Sequence, residues 1–228
     1  MTMSGAAAYP GLEARARQSL GTSSDAIHLM VAAMIERHDI KGRRVVDVGC
    51  GHGALHLAVQ HRFADYHGLD AVHYSKFPDG GEFTRVDLDA PNWPVASRTA
   101  DLVAALETIE HLENPWAFVR QLAALASPGG WVVVTTPNQL SVLSVLTLVV
   151  KRRFSAFQDV QYPAHRTALL ESDLCRMAAA SGLEVIEVSY SRHGRVPLSG
   201  WHYPGSLSRR WPCAFSDNVM IVARKPRA

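Results

Sequence analysis

The chain has no apolar run of spanning length. Its best candidate, Leu140 to Val150, is eleven residues, against the roughly twenty that a bilayer requires. Met1 to Ala8 lacks the charged n-region of a signal peptide, so a cytoplasmic protein is expected. Cysteine is scarce: Cys50, Cys175 and Cys213 are odd in number and widely spaced, which fits neither a disulfide framework nor a zinc knuckle and leaves free structural thiols. Charge of one sign is missing too. With 23 Lys and Arg against 21 Asp and Glu, the formal net charge is +2, and no strong polyanion preference follows from charge alone. No repeat, low-complexity tract or interdomain linker divides the 228 residues, which suffice for one domain with a full core.

What is present is organised around Val45 to Gly53, Val-Val-Asp-Val-Gly-Cys-Gly-His-Gly. The β-favouring positions run into glycines at Gly49, Gly51 and Gly53, and Leu55, Leu57, Ala58 and Val59 follow at helical spacing, so the stretch reads as strand, tight turn and helix start. Such a loop admits a ligand to main chain and offers unpaired amides to an anion. Gly49-x-Gly51-x-x-Ala54 formally satisfies the dinucleotide fingerprint, which keeps a nicotinamide-dependent oxidoreductase as an alternative. Asp47, however, puts a carboxylate at the strand end, which suits a ligand amine better than a diphosphate. With this motif the sequence resembles the class I S-adenosylmethionine-dependent methyltransferases, whose first motif is an acidic residue followed by Gly-x-Gly-x-Gly.

The rest of the chain extends the pattern. Ser23 or Ser24 can cap a helix whose residues Ile27, Met30, Val31, Met34 and Ile35 share one face. Tyr66 to Leu69 reads as a strand ending at Asp70, placed for ribose hydroxyls, and Phe83 to Val86 as a short strand leading to Asp87. Leu102 to Leu106 reads as a buried strand. Glu107-Thr-Ile-Glu110-His111-Leu-Glu-Asn114-Pro115 then opens a helix over Trp116 to Ala126, which Pro128, Gly129 and Gly130 break before a strand from Trp131 to Thr136. This order resembles methyltransferases of the ubiquinone and menaquinone biosynthesis type. The resemblance implies cofactor contacts from Asp47, Gly49, Cys50, Gly51, Gly53, Asp70, Asp87, Leu88 and Glu107, with Asp89 competing with Asp87 for the adenine.

For acceptor chemistry the candidates are His111, then His165, as acid/base groups, since ligands of open parallel sheets bind at the strand C-termini. The same Glu-x-x-Glu-His spacing with a distant His resembles a family of metal-binding small-RNA 2′-O-methyltransferases. That alternative would make Glu107, Glu110, His111 and His165 ligands of a divalent cation, and it ranks behind a metal-free site. Lys151 to Arg153 with Arg209 and Arg210 form only a thin basic track, so nucleic acid ranks behind a small molecule.

Leu169 to Ala180 reads as a helix, and Leu183 to Tyr190 and Val219 to Arg224 as the last strands. Asn138 and the aromatic residues Trp201 and Tyr203 are expected to meet substrate, the latter two from the long 191–217 connection. Leu140 to Val150 is expected to be an ordinary buried helix, with a membrane-facing helix over the substrate mouth as its rival. Residues 1–22 are expected to be a flexible segment, with Tyr9 as a residue that could close over a cofactor. Residues 23–228 form one α/β domain with substrate-side insertions at 140–167 and 191–217. The expected architecture is a Rossmann-like, seven-stranded, mostly parallel sheet with an antiparallel last strand and helices on both faces. The expected activity is O-methylation of a small molecule by S-adenosylmethionine, with a non-catalytic adenosyl-binding module as a further alternative.

Overall fold

The computed structural model describes residues 11–227, so Tyr9 lies outside the described residues. Seven strands form one sheet: β1 Gly42–Val48, β2 Phe63–Asp70, β3 Glu82–Arg85, β4 Ala100–Leu106, β5 Ala126–Pro137, β6 Glu184–Tyr190 and β7 Asn218–Arg224. Their order is β3-β2-β1-β4-β5-β7-β6, and β7 runs antiparallel to both of its neighbours. The pairings among β1 to β5 are parallel. β1 lies inside this sheet, and Val45, Val46 and Val48 are fully buried, as a strand covered on both faces requires.

Two cores flank the sheet. On one face α2 (Asp25–Arg37) buries the predicted stripe Ile27, Met30, Val31, Met34 and Ile35, together with Leu55 and Val59 of α3 (Leu55–Val59), against Val45 and Leu102. On the other, Phe118 and Leu122 of α4 (Pro115–Leu125) join Leu174 and Met177 of α6 (Glu171–Ala180) over Val46 and Val103. The sheet therefore sits as the middle of three layers.

Four local expectations change. The segment read as flexible contains a helix, α1 (Leu12–Gln18), tied down by the Tyr74 hydroxyl donating to the Ala16 carbonyl at 3.0 Å and by an Arg85–Glu13 ion pair. Pro128-Gly-Gly does not separate helix from strand. β5 runs through it, because Gly129 and Gly130 exchange backbone hydrogen bonds with Lys225. α6 starts at Glu171 because the amides of Arg166 and Thr167 donate instead to the Glu110 carbonyl. The fourth change is α5 (Val142–Lys151): it is helical as expected, yet Ser144 is its one buried residue.

Candidate active site

A cavity of about 650 Å³ opens where β1, β2, β4 and β5 end, a size suited to a small organic ligand. The turn after β1 builds its floor. The amides of Gly49 and Cys50 both donate to the Leu69 carbonyl, locking the turn to β2. Gly49 has φ of +74°, and a Cβ there would lie 2.2 Å from the Thr108 hydroxyl. At Gly51 a Cβ would meet the Gly21 carbonyl at 2.2 Å. These glycines let the protein close on itself as much as they admit a ligand. Gly49 and Cys50 line the cavity, whereas Gly51 and Gly53 do not. Gly51 acts one step removed, donating its amide to Asp70 at 2.9 Å.

Asp47, Asp70, Glu107 and Glu110 are among the acidic side chains that line this space. Asp47 is buried, accepts from the Tyr66 hydroxyl at 2.5 Å, and is pushed up to about 7 by burial, which the Tyr66 bond only partly offsets. Asp70 accepts from the amides of Gly51 and Val72, and burial raises it nonetheless. Glu107 accepts from the Thr135 hydroxyl at 2.9 Å and from the Asn218 amide at 2.7 Å, and burial together with Glu110 holds it well above the usual carboxylate range. Glu110 accepts from Thr136 at 3.1 Å and is pushed up to about 8 by burial. Its Oε1 is buried with no hydrogen-bond partner.

Above them stand two histidines. Nδ1 of His111 lies 2.9 Å from the Ala164 carbonyl, and Nδ1 of His165 lies 2.7 Å from the Ala156 carbonyl. A carbonyl only accepts, so each Nδ1 carries the proton, and in the neutral ring Nε2 keeps its lone pair. The rings meet edge-on at 4.8 Å. Burial lowers the pKa of both, and in His165 the neighbouring His111 lowers it further. Glu110, His111 and His165 bring potential ligand atoms within 4.8 Å of one another, a group of the kind that holds a divalent cation. Glu107 is outside this group, with both oxygens engaged elsewhere.

Asp87 and Leu88 line the cavity. Asp89 also lines it; one of its carboxylate oxygens accepts from the amides of Glu113 and Asn114, just as one oxygen of Asp87 accepts from the Asp89 amide at 3.0 Å.

The predicted substrate residues fare differently. Asn138 is buried outside the lining: its amide donates to the carbonyls of Cys213 and Ser216 and its oxygen accepts from the Leu140 amide. Trp201 is 79% exposed, and Tyr203 packs on Phe215; neither lines the cavity. A bridge between Arg195 and His202 turns the alternate residues inward, so His193, Arg195 and His202 line the wall, with Arg195 paired to Asp217 at 2.5 Å. Ser19, Gly21 and Thr22 close another side, a contribution no sequence signal announced beyond the glycine itself.

Comparison with known proteins decides what this site belongs to. Residues 18–188 match the family profile described as "Methyltransferase domain". The chain belongs to this family. Its relatives include a ubiquinone biosynthesis O-methyltransferase of Burkholderia thailandensis, 30% identical over 159 residues that cover 65% of this chain and 68% of that one. A second, from Psychrobacter arcticus, is 27% identical over 201 residues, covering 83% and 74%. Among solved structures, a SAM-dependent methyltransferase from Archaeoglobus fulgidus superposes with a TM-score of 0.61 at 17% identity, covering 87% of this chain and 94% of that one, and so shares the fold. The protein is a class I S-adenosylmethionine-dependent methyltransferase. The cavity fits that cofactor chemically: a ligand with a sulfonium and an ammonium suits a wall rich in carboxyls, Asp47, Asp70, Asp87 and Glu107 among them.

Proposed function

We propose that this methyltransferase transfers the methyl group to a hydroxyl oxygen of a small-molecule acceptor. The observation that carries the reading is His111, a half-buried imidazole that its lowered pKa keeps neutral, whose Nδ1–H is committed to the Ala164 carbonyl, leaving Nε2 as a base at the cavity wall. The relatives, named as ubiquinone biosynthesis O-methyltransferases, support oxygen as the acceptor atom.

In this reading Asp87 and Leu88 hold the adenine, Asp70 the ribose hydroxyls, and Asp47 with Glu107 the methionine end beside Gly49 and Cys50. When bound, the cofactor supplies a methyl carbon on a cationic sulfur. The protein then has to align the acceptor oxygen with that carbon and remove its proton. Nε2 of His111 takes the proton, with His165 beside it limiting the ring's freedom to turn. The lowered pKa keeps His111 unprotonated at neutral pH, so activity should fall only below the ordinary histidine range.

A second reading, cation-assisted 2′-O-methylation of RNA, is favoured by the unpartnered Oε1 of Glu110 beside the two histidines. The names of the relatives, ubiquinone biosynthesis O-methyltransferases, support a small-molecule acceptor, and for that reason the first reading stands ahead of this one. The experiment is transfer of labelled methyl to catechol and, separately, to a short RNA, after exhaustive EDTA treatment. Labelling of catechol that survives EDTA is expected, with His111→Gln lowering kcat by about a hundredfold or more and leaving S-adenosylhomocysteine affinity unchanged. Labelling of RNA alone, or labelling that returns only with an added divalent cation, would overturn the proposal.

A further inference from the structure

The cavity is uneven in sign. Carboxyls crowd the ends of β1, β2 and β4, and the two cationic groups of the cofactor answer them. Among the described residues, its lining holds a single permanent cation, Arg195. That guanidinium comes from the 191–217 connection and not from the strand ends that carry the acids.

The main chain around Arg195 is held from several sides. The Asp217 amide donates to the His193 carbonyl at 3.0 Å, the Tyr203 amide to the Gly194 carbonyl at 2.9 Å, and the Val196 amide to the Trp201 carbonyl at 2.9 Å. Gly194 allows the close approach of a further segment, since a Cβ there would lie 2.5 Å from the Phe215 carbonyl oxygen. Asp217 then fixes the side chain. One of its oxygens accepts from Arg195 Nε at 2.5 Å and the other from the Arg195 amide at 3.3 Å. This grip covers only the Nε side of the guanidinium. Among the described residues nothing bonds Nη1 or Nη2, and the side chain is 56% exposed, so the outer edge of the fork stays open. Two parallel N–H groups on such an edge match the two oxygens of a carboxylate. His202, opposite Arg195 in the bridge, and His193, two residues before it, bring their rings to 3.9 Å between centroids, and each neutral ring keeps an N–H to donate.

We infer that this wall is an anion subsite that selects an acceptor bearing a carboxylate, and that Arg195 is the residue that meets it. The family profile ends at residue 188, so the wall lies beyond the part of the chain shared with proteins that use the same cofactor. A group outside that shared part belongs to the acceptor. Charge narrows the class further. Asp217 already offsets much of the guanidinium charge, so a single negative charge is accommodated, whereas a phosphate dianion would add a second one to a cavity rich in carboxyls. The inference rests on the proposed transfer to a small-molecule hydroxyl and specifies what else that molecule carries: a hydroxyl for His111 and a carboxylate for Arg195.

The test is calorimetric binding of 3,4-dihydroxybenzoate, catechol and dopamine to the full chain saturated with S-adenosylhomocysteine, followed by transfer of labelled methyl to each. The acid should bind about tenfold more tightly than catechol, the size of one charge-assisted contact, and dopamine should bind weakest. Arg195→Gln should abolish the advantage of the acid, and Arg195→Lys, which keeps the charge without the fork, should retain part of it. Both variants should keep the parent's denaturation midpoint and S-adenosylhomocysteine affinity. Equal binding of acid and catechol by the parent, tighter binding of dopamine, or an advantage of the acid that survives Arg195→Gln would overturn the inference. So would a matching loss of S-adenosylhomocysteine affinity in Arg195→Gln, since the guanidinium would then hold the carboxylate of the cofactor. Acid binding through Arg195 with no methyl transfer to a hydroxyl would support the subsite and strike the O-methylation reading. Methylation of acid and catechol with equal efficiency would do the opposite.

Discussion

Asp47→Asn should remove a stability penalty that grows with pH. The Asp47 carboxyl is pushed from an ordinary 3.8 up to about 7, first by burial and, less strongly, by the neighbouring Asp70, against the lowering effect of the Tyr66 hydrogen bond. Because the folded state holds the proton more tightly than the unfolded chain, this group's contribution is fully present below 3.8 and is lost as pH rises toward about 7, then stays flat. The gap of about three pH units corresponds to about 4 kcal/mol in total, of which about 3 kcal/mol falls between about pH 5 and about pH 8. Asp70, Glu107 and Glu110 are raised as well, so the parent protein alone would not isolate Asp47. The difference between parent and variant does, since asparagine can still accept from Tyr66. Urea denaturation of both proteins across that interval should show the parent losing about 3 kcal/mol more than the variant. The same logic extends to the ligand: an ammonium beside Asp47 favours the ionised form, so S-adenosylhomocysteine affinity should rise with pH toward about 7 in the parent and stay flatter in the variant. Parallel stability curves would refute the reasoning, because they would mean that Asp47 is ionised in the folded protein at neutral pH.

Gly49→Ala should cost about 2 to 5 kcal/mol in a denaturation experiment, the sum of a left-handed backbone and overlap with Thr108. Asn138→Ala should destabilise by about 3 kcal/mol, since three backbone groups lose a buried partner, while S-adenosylhomocysteine affinity measured by calorimetry stays unchanged. Trp201→Ala should shift stability by less than about 0.5 kcal/mol and leave the KM for catechol as it was, whereas His202→Ala should raise that KM.

Much of the scaffold was legible in the residues because its signals are local. The stripe on α2, the strand running into Gly49, and the acids that end β2 and precede α4 are consequences of short-range periodicity and turn chemistry. The placing of Asp47, Asp70, Asp87, Glu107 and His111 around one cavity follows from them, since parallel strands deliver their C-terminal ends to the same edge of the sheet. Other features depended on segments far apart in the chain. Trp201 and His202 are neighbours, and only the bridge to Arg195 decides that the histidine faces inward. Asn138 looked available at a strand end until the 213–216 turn supplied the carbonyls that occupy it. The Pro128-Gly-Gly turn signal yielded to pairing with Lys225, and the segment around Gly21 found its place through Gly51. In α5 the sequence by itself determined a short apolar helix with a basic end. That its polar stripe faces the protein and its aliphatic side faces outward was decided by Gln139 and Ser155, which hold Ser144 inside. Dihedral preference and polarity are properties of a segment, whereas the direction a side chain faces is set by whatever the rest of the chain packs beside it.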